Sequence, residues 1–187
     1  MDMTLLNVFL IVLLISFVPV VYLATRTYLK YRGTRVVTCP ETKKPVAVRV
    51  DPHLAASTAL TGETHLRLQS CTRWPEREDC GQECLSQIEA SPEGCLVQKM
   101  LADWYADRFC VFCRKEFGRI HRSDHKPALM TPDRRLIEWD EFPPETLPTV
   151  LATHEPVCWN CYVAKKFYEQ FPELVTERRP RPERRAS

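Results

Sequence analysis

Cys110-Val111-Phe112-Cys113-Arg114-Lys115-Glu116-Phe117-Gly118 and Cys158-Trp159-Asn160-Cys161, with 44 residues between Cys113 and Cys158, decide how this chain is read. Each stretch places two thiols two residues apart, and two such pairs supply the four soft ligands of one tetrahedral metal site. The first pair is followed by a tight turn, an aromatic and a glycine. The second runs into a helical pattern over residues 162–171, with Trp159, Val163, Phe167 and Phe171 on one line and Pro172 ending it.

The chain has 187 residues, nine cysteines, and fifteen prolines against five glycines. That fits one or two small domains, rich in turns and short elements, behind an N-terminal segment. Basic charge is unevenly placed. Residues 26–35 contain Arg26, Lys30, Arg32 and Arg35 and no acid, and the last fifteen residues hold five arginines against three glutamates. Residues 36–172 carry 17 basic and 20 acidic side chains. A nucleic-acid module concentrates basic charge on its folded body, so this slightly acidic body argues against one.

Residues 3–25 form a run of 23 positions without formal charge. As a helix this run is about 34 Å long, enough to cross a hydrocarbon core of about 30 Å. Pro19 introduces a kink that membrane helices tolerate. A cleaved signal peptide fits less well, because no basic residue precedes the run and Val21-Tyr22-Leu23-Ala24 lacks the small residues of a cleavage site. The sequence predicts an uncleaved anchor over residues 3–25, with Tyr22, Tyr28 and Tyr31 at the interface. Four basic residues follow, so the positive-inside rule puts the amino end outside and the rest in the cytoplasm. The same cluster suits anionic lipid. In a reducing compartment, clustered cysteines bind metal or do redox chemistry rather than pair as disulfides.

Arg35-Val36-Val37-Thr38 reads as a strand, and Val46, Val48 and Val50 alternate with Ala47 and Arg49 in a second. Residues 36–50 are thus expected to form a hairpin with Cys39 near its bend. Asp51-Pro52 opens a short helix over 54–60 that Gly62 stops, and residues 65–69 alternate again towards Cys71. Cys80 and Cys84 are four apart, the spacing that shares one face of a helical turn. Cys39, Cys71, Cys80 and Cys84 are a candidate second metal site. The competing reading is a set of reduced thiols acting as small apolar residues. Cys95 is the odd cysteine and is expected to pack. It begins a helix whose rows Leu96/Met100/Trp104 and Val97/Leu101/Tyr105 make a broad apolar core face.

Cys-x-x-Cys-Arg-Lys-x-Phe-Gly resembles the zinc knuckle, and the second pair, opening a helix, resembles the other half of a treble-clef or zinc-ribbon-type tetracysteine module. The resemblance covers residues 109–171 only. It implies zinc held by Cys110, Cys113, Cys158 and Cys161, with amides of the turn and of the helix start facing the sulfurs. Between the pairs, Ala128-Leu129-Met130 and Leu136-Ile137-Glu138-Trp139 read as a hairpin around Thr131-Pro132-Asp133, and residues 143–153 as a short helix. Iron and iron–sulfur clusters use the same ligands. Rubredoxin-type iron, however, normally has a glycine close behind each pair, where this chain has Arg114 and Tyr162, and zinc is preferred. No βαβ pattern supports a thioredoxin-like role. His121 and His125 are four apart and His154 precedes Cys158 by four. They read as surface histidines; in a mixed-ligand site, His121 and His154 are the ones to test.

A site closed by four cysteines leaves no open coordination position for catalysis, and no phosphate loop, Gly-x-Ser-x-Gly or nucleophile–base pair is present. The sequence therefore predicts an α+β chain with a transmembrane anchor and basic juxtamembrane segment over 1–35. A cysteine-rich α+β subdomain follows over 36–107, then a treble-clef-like zinc-binding subdomain over 108–172. Residues 173–187 are expected to be a disordered tail. The expected protein is a single-pass, membrane-anchored cytoplasmic zinc-binding module, not an enzyme, that offers an interaction or scaffold surface to a membrane-associated protein partner. The alternative is a membrane-anchored iron or iron–sulfur electron carrier or redox sensor, its metal at Cys39, Cys71, Cys80 and Cys84. A third is metal handling, with exposed thiols passing zinc or copper to a transporter.

Overall fold

The computed structural model describes residues 3–77, 79–120 and 127–174, so His121, His125 and the tail from 175 lie outside the described residues. Two compact units emerge. One holds residues up to 104 together with 142–152, and the other holds 105–141 together with 153 onward. The mixture of helices and small sheets agrees with an α+β chain.

The first unit begins with helix α1 (Met3–Tyr31), which runs through Pro19. Its Ile11–Tyr31 stretch, mean hydropathy 1.7, makes α1 long and apolar enough to cross a membrane. The helix outlasts the apolar run, however. Thr27 and Tyr31 are buried, and the Tyr28 ring meets His53 at 5.0 Å. Tyr31 is thus a core residue and not part of an interfacial belt. Gly33, at φ 105°, turns the chain into β1.

Strands β1 (Thr34–Thr38) and β2 (Pro45–Val50) form the expected hairpin, antiparallel with Val36 opposite Ala47. β3 (Leu68–Cys71) joins the other edge of β2, a shorter strand than the alternation from His65 suggests. Val37, Val46, Val48, Val50 and Leu68 build the core with Ile88 of α3 (Leu85–Ala90). Helix α2 (Pro52–Ala59) starts where Asp51 caps it, accepting from the N–H groups of His53 at 2.9 Å and Leu54 at 3.1 Å. Asp51→Ala is expected to cost about 1 kcal/mol, the usual value of a lost N-cap, read as a lower unfolding midpoint.

Two expectations need correcting. Arg35 does not belong to an exposed basic cluster, because its side chain is fully buried. And Cys80 and Cys84 do not share a helical face: Cys84 is the residue before α3, and Cys80 lies in irregular chain interrupted by Gln82 at φ 54°. Helix α4 (Val97–Tyr105) has the expected faces, with Val97, Leu101 and Tyr105 buried and Met100 and Trp104 half-buried. Cys95 packs on the core of the first unit, its Sγ 3.3 Å from the Ser91 carbonyl oxygen. The short helix foreseen near residue 143 forms as a 3₁₀ turn (Pro144–Thr146) and α5 (Leu147–Thr153), but residues 142–152 group with the first unit.

In the second unit, β4 (Ala128–Met130) and β5 (Leu136–Ile137) make the expected hairpin. A strand absent from the sequence reading, β6 (Glu155–Val157), pairs with the other edge of β4. Helix α6 (Trp159–Gln170) follows at once, and a 3₁₀ turn over Pro172–Leu174 follows α6. Tyr162 is the buried residue of α6, its hydroxyl donating to Glu138 at 2.8 Å, while Val163, Phe167 and Phe171 are exposed.

Candidate metal centre

Residues 109–116 fold back on themselves. Phe109 bridges Glu116, the Cys110 N–H donates to the Lys115 carbonyl at 2.9 Å, and the Arg114 N–H donates to the Cys110 carbonyl at 2.9 Å. Closing so tight a turn puts Arg114 in the left-handed region, φ 58°. A glycine would reach that conformation more easily. Its absence does not prevent the turn, so the residue behind Cys113 does not separate zinc from iron. A helix follows the second pair, as expected. Cys158 caps α6 with extended backbone and Cys161 sits in the first turn. β6 delivers Cys158 to the knuckle: the Val111 N–H donates to the Pro156 carbonyl at 3.0 Å, and the Cys158 N–H donates to Cys110 Sγ at 3.3 Å.

This brings Cys110, Cys113, Cys158 and Cys161 together, their four sulfurs all within 4.8 Å of one another. Zn–S bonds of about 2.3 Å in a tetrahedron put the sulfurs about 3.8 Å apart; Cys113 and Cys158 Sγ already lie 3.7 Å apart, so the set is compatible with a metal ion once the others close in. Cys110 is buried, Cys113 exposed and the other two half-buried. His154 stands apart from the group, bonded to Thr153 Oγ1 at 2.8 Å.

The electrostatics are uneven. Burial pushes the Cys110 thiol up, but the N–H groups of Cys113, Cys158 and Phe112 outweigh it and hold Cys110 below the usual thiol range. Burial and the neighbouring thiols push Cys161 well up, and burial raises Cys158 as well. Cys110 is thus the sulfur most readily ionised, and Cys158 and Cys161 hold their protons more firmly than ordinary thiols. Metal loading is therefore expected to release protons, and affinity to fall as pH falls, about tenfold per proton displaced per pH unit. Calorimetry in buffers of different ionisation enthalpy measures the protons released.

The other candidate ligands, Cys39, Cys71, Cys80 and Cys84, line a single cavity in the first unit. That set is more open; among the described residues, the close group is the Cys110 set. Sequence reasoning missed two other residues in that cavity. Arg73 Nη1 donates to Cys39 Sγ at 3.0 Å and to Glu41 at 2.8 Å. The Trp74 indole N–H is buried without an acceptor. The signal for both lay next to Cys71, in Thr72-Arg73-Trp74, and needed the fold to become visible. Comparison with known protein families, characterised proteins and solved structures found no match to this chain.

Proposed function

We propose that the protein is a membrane-anchored, non-enzymatic zinc-binding module, with the second unit assembled in treble-clef fashion around one zinc ion on Cys110, Cys113, Cys158 and Cys161. The observation that carries this is the convergence of four sulfurs within 4.8 Å. A knuckle turn supplies two of them and the start of a helix the other two. Four protein thiolates leave no open position on the ion, which suits a structural rather than a catalytic metal. Zinc supplies stability, and the adjoining α6 carries a row of exposed apolar side chains, Val163, Phe167 and Phe171, that supports an interaction role. Helix α1 anchors the module, and Arg26, Lys30 and Arg32 at its end favour a cytoplasmic placement of both units.

Metal analysis of the full chain, purified in detergent without air, tests this reading together with its visible spectrum. Zinc that is lost with Cys110→Ser, from a colourless protein, is the expected result. Iron at these ligands, with red or brown absorption, replaces the module by an electron carrier. Protease accessibility in intact cells and in inverted vesicles tests the placement: the units are expected to be cut only in inverted vesicles.

A further inference from the structure

We propose that Cys39, Cys71, Cys80 and Cys84 hold a second zinc ion, in a site whose turn repeats that of the first. The inference rests in part on reading the Cys110 turn as a zinc knuckle, and the variants below separate the two sites.

The two turns match bond for bond. In one, the Cys110 N–H donates to Lys115 O at 2.9 Å and the Arg114 N–H to Cys110 O at 2.9 Å. In the other, the Cys39 N–H donates to Lys44 O at 2.9 Å and the Lys43 N–H to Cys39 O at 2.8 Å. Lys43 and Arg114 occupy the same step, both left-handed, at φ 57° and 58°. Cys39-Pro-Glu-Thr-Lys-Lys is thus a knuckle in which Thr42 stands where Cys113 stands. It contributes one thiolate rather than two.

The remaining ligands come from elements fastened beside it. The Gln87 side chain of α3 bonds both backbone groups of Thr38, receiving its N–H at 3.0 Å and donating to its carbonyl at 2.7 Å. This holds the start of α3, with Cys84, against the residue before Cys39. Gln82 Oε1 accepts from the Leu68 N–H at 2.9 Å, tying the Cys80–Cys84 loop to the strand that ends in Cys71. All four cysteines line the resulting cavity.

Reduced thiols serving only as small apolar residues would be buried, and of these four only Cys84 is. Nor would they need a guanidinium aimed at a sulfur. A Zn(Cys)4 centre carries two negative charges; Arg73 offsets one at Cys39 while Glu41 holds Arg73 in place at 2.8 Å. The Trp74 N–H is buried in the same cavity without an acceptor, a donor that suits a site meant to hold negative charge.

Cobalt(II) titration of the full metal-free chain in detergent, followed by sulfur-to-cobalt charge transfer, counts tetrathiolate sites. Zinc analysis of the purified chain counts the native ions. Two equivalents by both measures in the wild type are expected, with one lost in Cys71→Ser/Cys80→Ser and the other in Cys110→Ser/Cys158→Ser. Arg73→Met keeps every thiol and is expected to weaken the second ion alone, about 10–100-fold, as loss of a supporting hydrogen bond does. One equivalent in the wild type, unaffected by Cys71→Ser/Cys80→Ser, overturns the proposal, as does iron with visible absorption at this set. If that double variant fails to fold, Cys110→Ser/Cys158→Ser decides: an ion kept there supports the site, and none rejects it.

Discussion

Cys110→Ser or Cys158→Ser will unfold the second unit rather than soften it. The apolar core available there is small: Ala128, Met130, Leu136, Val157 and Tyr162 around Cys110, with Val111, Phe117 and Trp159 at its margin. Structural zinc contributes about 10–16 kcal/mol apparent in small metal-built peptides, as much as or more than the roughly 5–15 kcal/mol total of an ordinary domain. Four thiolates repel one another unless a cation joins them, so an ion on this set would tie the two pairs together. Without it, β6 and the knuckle lose their common anchor. The measurable outcome is new protease cleavage within residues 105–141 and beyond 153, with a loss of helical circular dichroism from α6. Chelation of the wild type should reproduce both changes, and zinc should reverse them. A chelated or substituted protein with an unchanged cleavage pattern would show that the core suffices without metal.

What could be read from sequence followed how local the determinant was. The C-x-x-C spacings, the β1–β2 alternation, and the Asp51-Pro52 helix start are carried by adjacent residues and appear where expected. β6 was not legible, since Glu155-Pro156-Val157 has neither length nor alternation and exists only because β4 offers it an edge. The four-residue spacing of Cys80 and Cys84 suggested a helix, but the left-handed Gln82 between them breaks it. The Cys39 turn was hidden differently. A search keyed to paired cysteines passes over Cys39-x-x-Thr42-Lys-Lys, although its Lys-Lys parallels the Arg114-Lys115 that follows the true pair. The repeated backbone geometry, not the cysteine spacing, exposes it. In both turns a cationic residue takes the left-handed step, at φ 57° for Lys43 and 58° for Arg114.

The burial of Arg35 was the least legible feature, and removing that side chain is expected to have the second largest effect. A basic residue behind an apolar run reads as a lipid-facing charge, and Arg26 and Lys30 are indeed exposed. Arg35 instead turns back under the helix. Its Nη2 donates to Lys30 O at 2.6 Å, Nη1 to Tyr31 O at 2.6 Å and to Gly33 O at 3.1 Å, and Nε to Pro92 O at 3.2 Å. The last carbonyls of a helix lack internal donors and form the negative end of its dipole, so one guanidinium satisfies both needs. It also fastens α1 to the loop ahead of α4, making the end of the apolar helix part of the core instead of a flexible linker. Arg35→Ala strands those carbonyls around a void. The expected loss is on the order of 3–5 kcal/mol, or a fall in Tm of roughly 10–20 °C, with amide-exchange protection lost over residues 27–38. Arg35→Lys should recover only part of this, because a single ammonium cannot reach carbonyls on three segments at once. Arg26→Gln, one of the exposed cations, should leave stability within about 0.5 kcal/mol and act on membrane orientation alone. Equal Tm and exchange for Arg35→Ala and Arg26→Gln would mean that the helix end is held by the Tyr28, Tyr31 and His53 packing without the guanidinium.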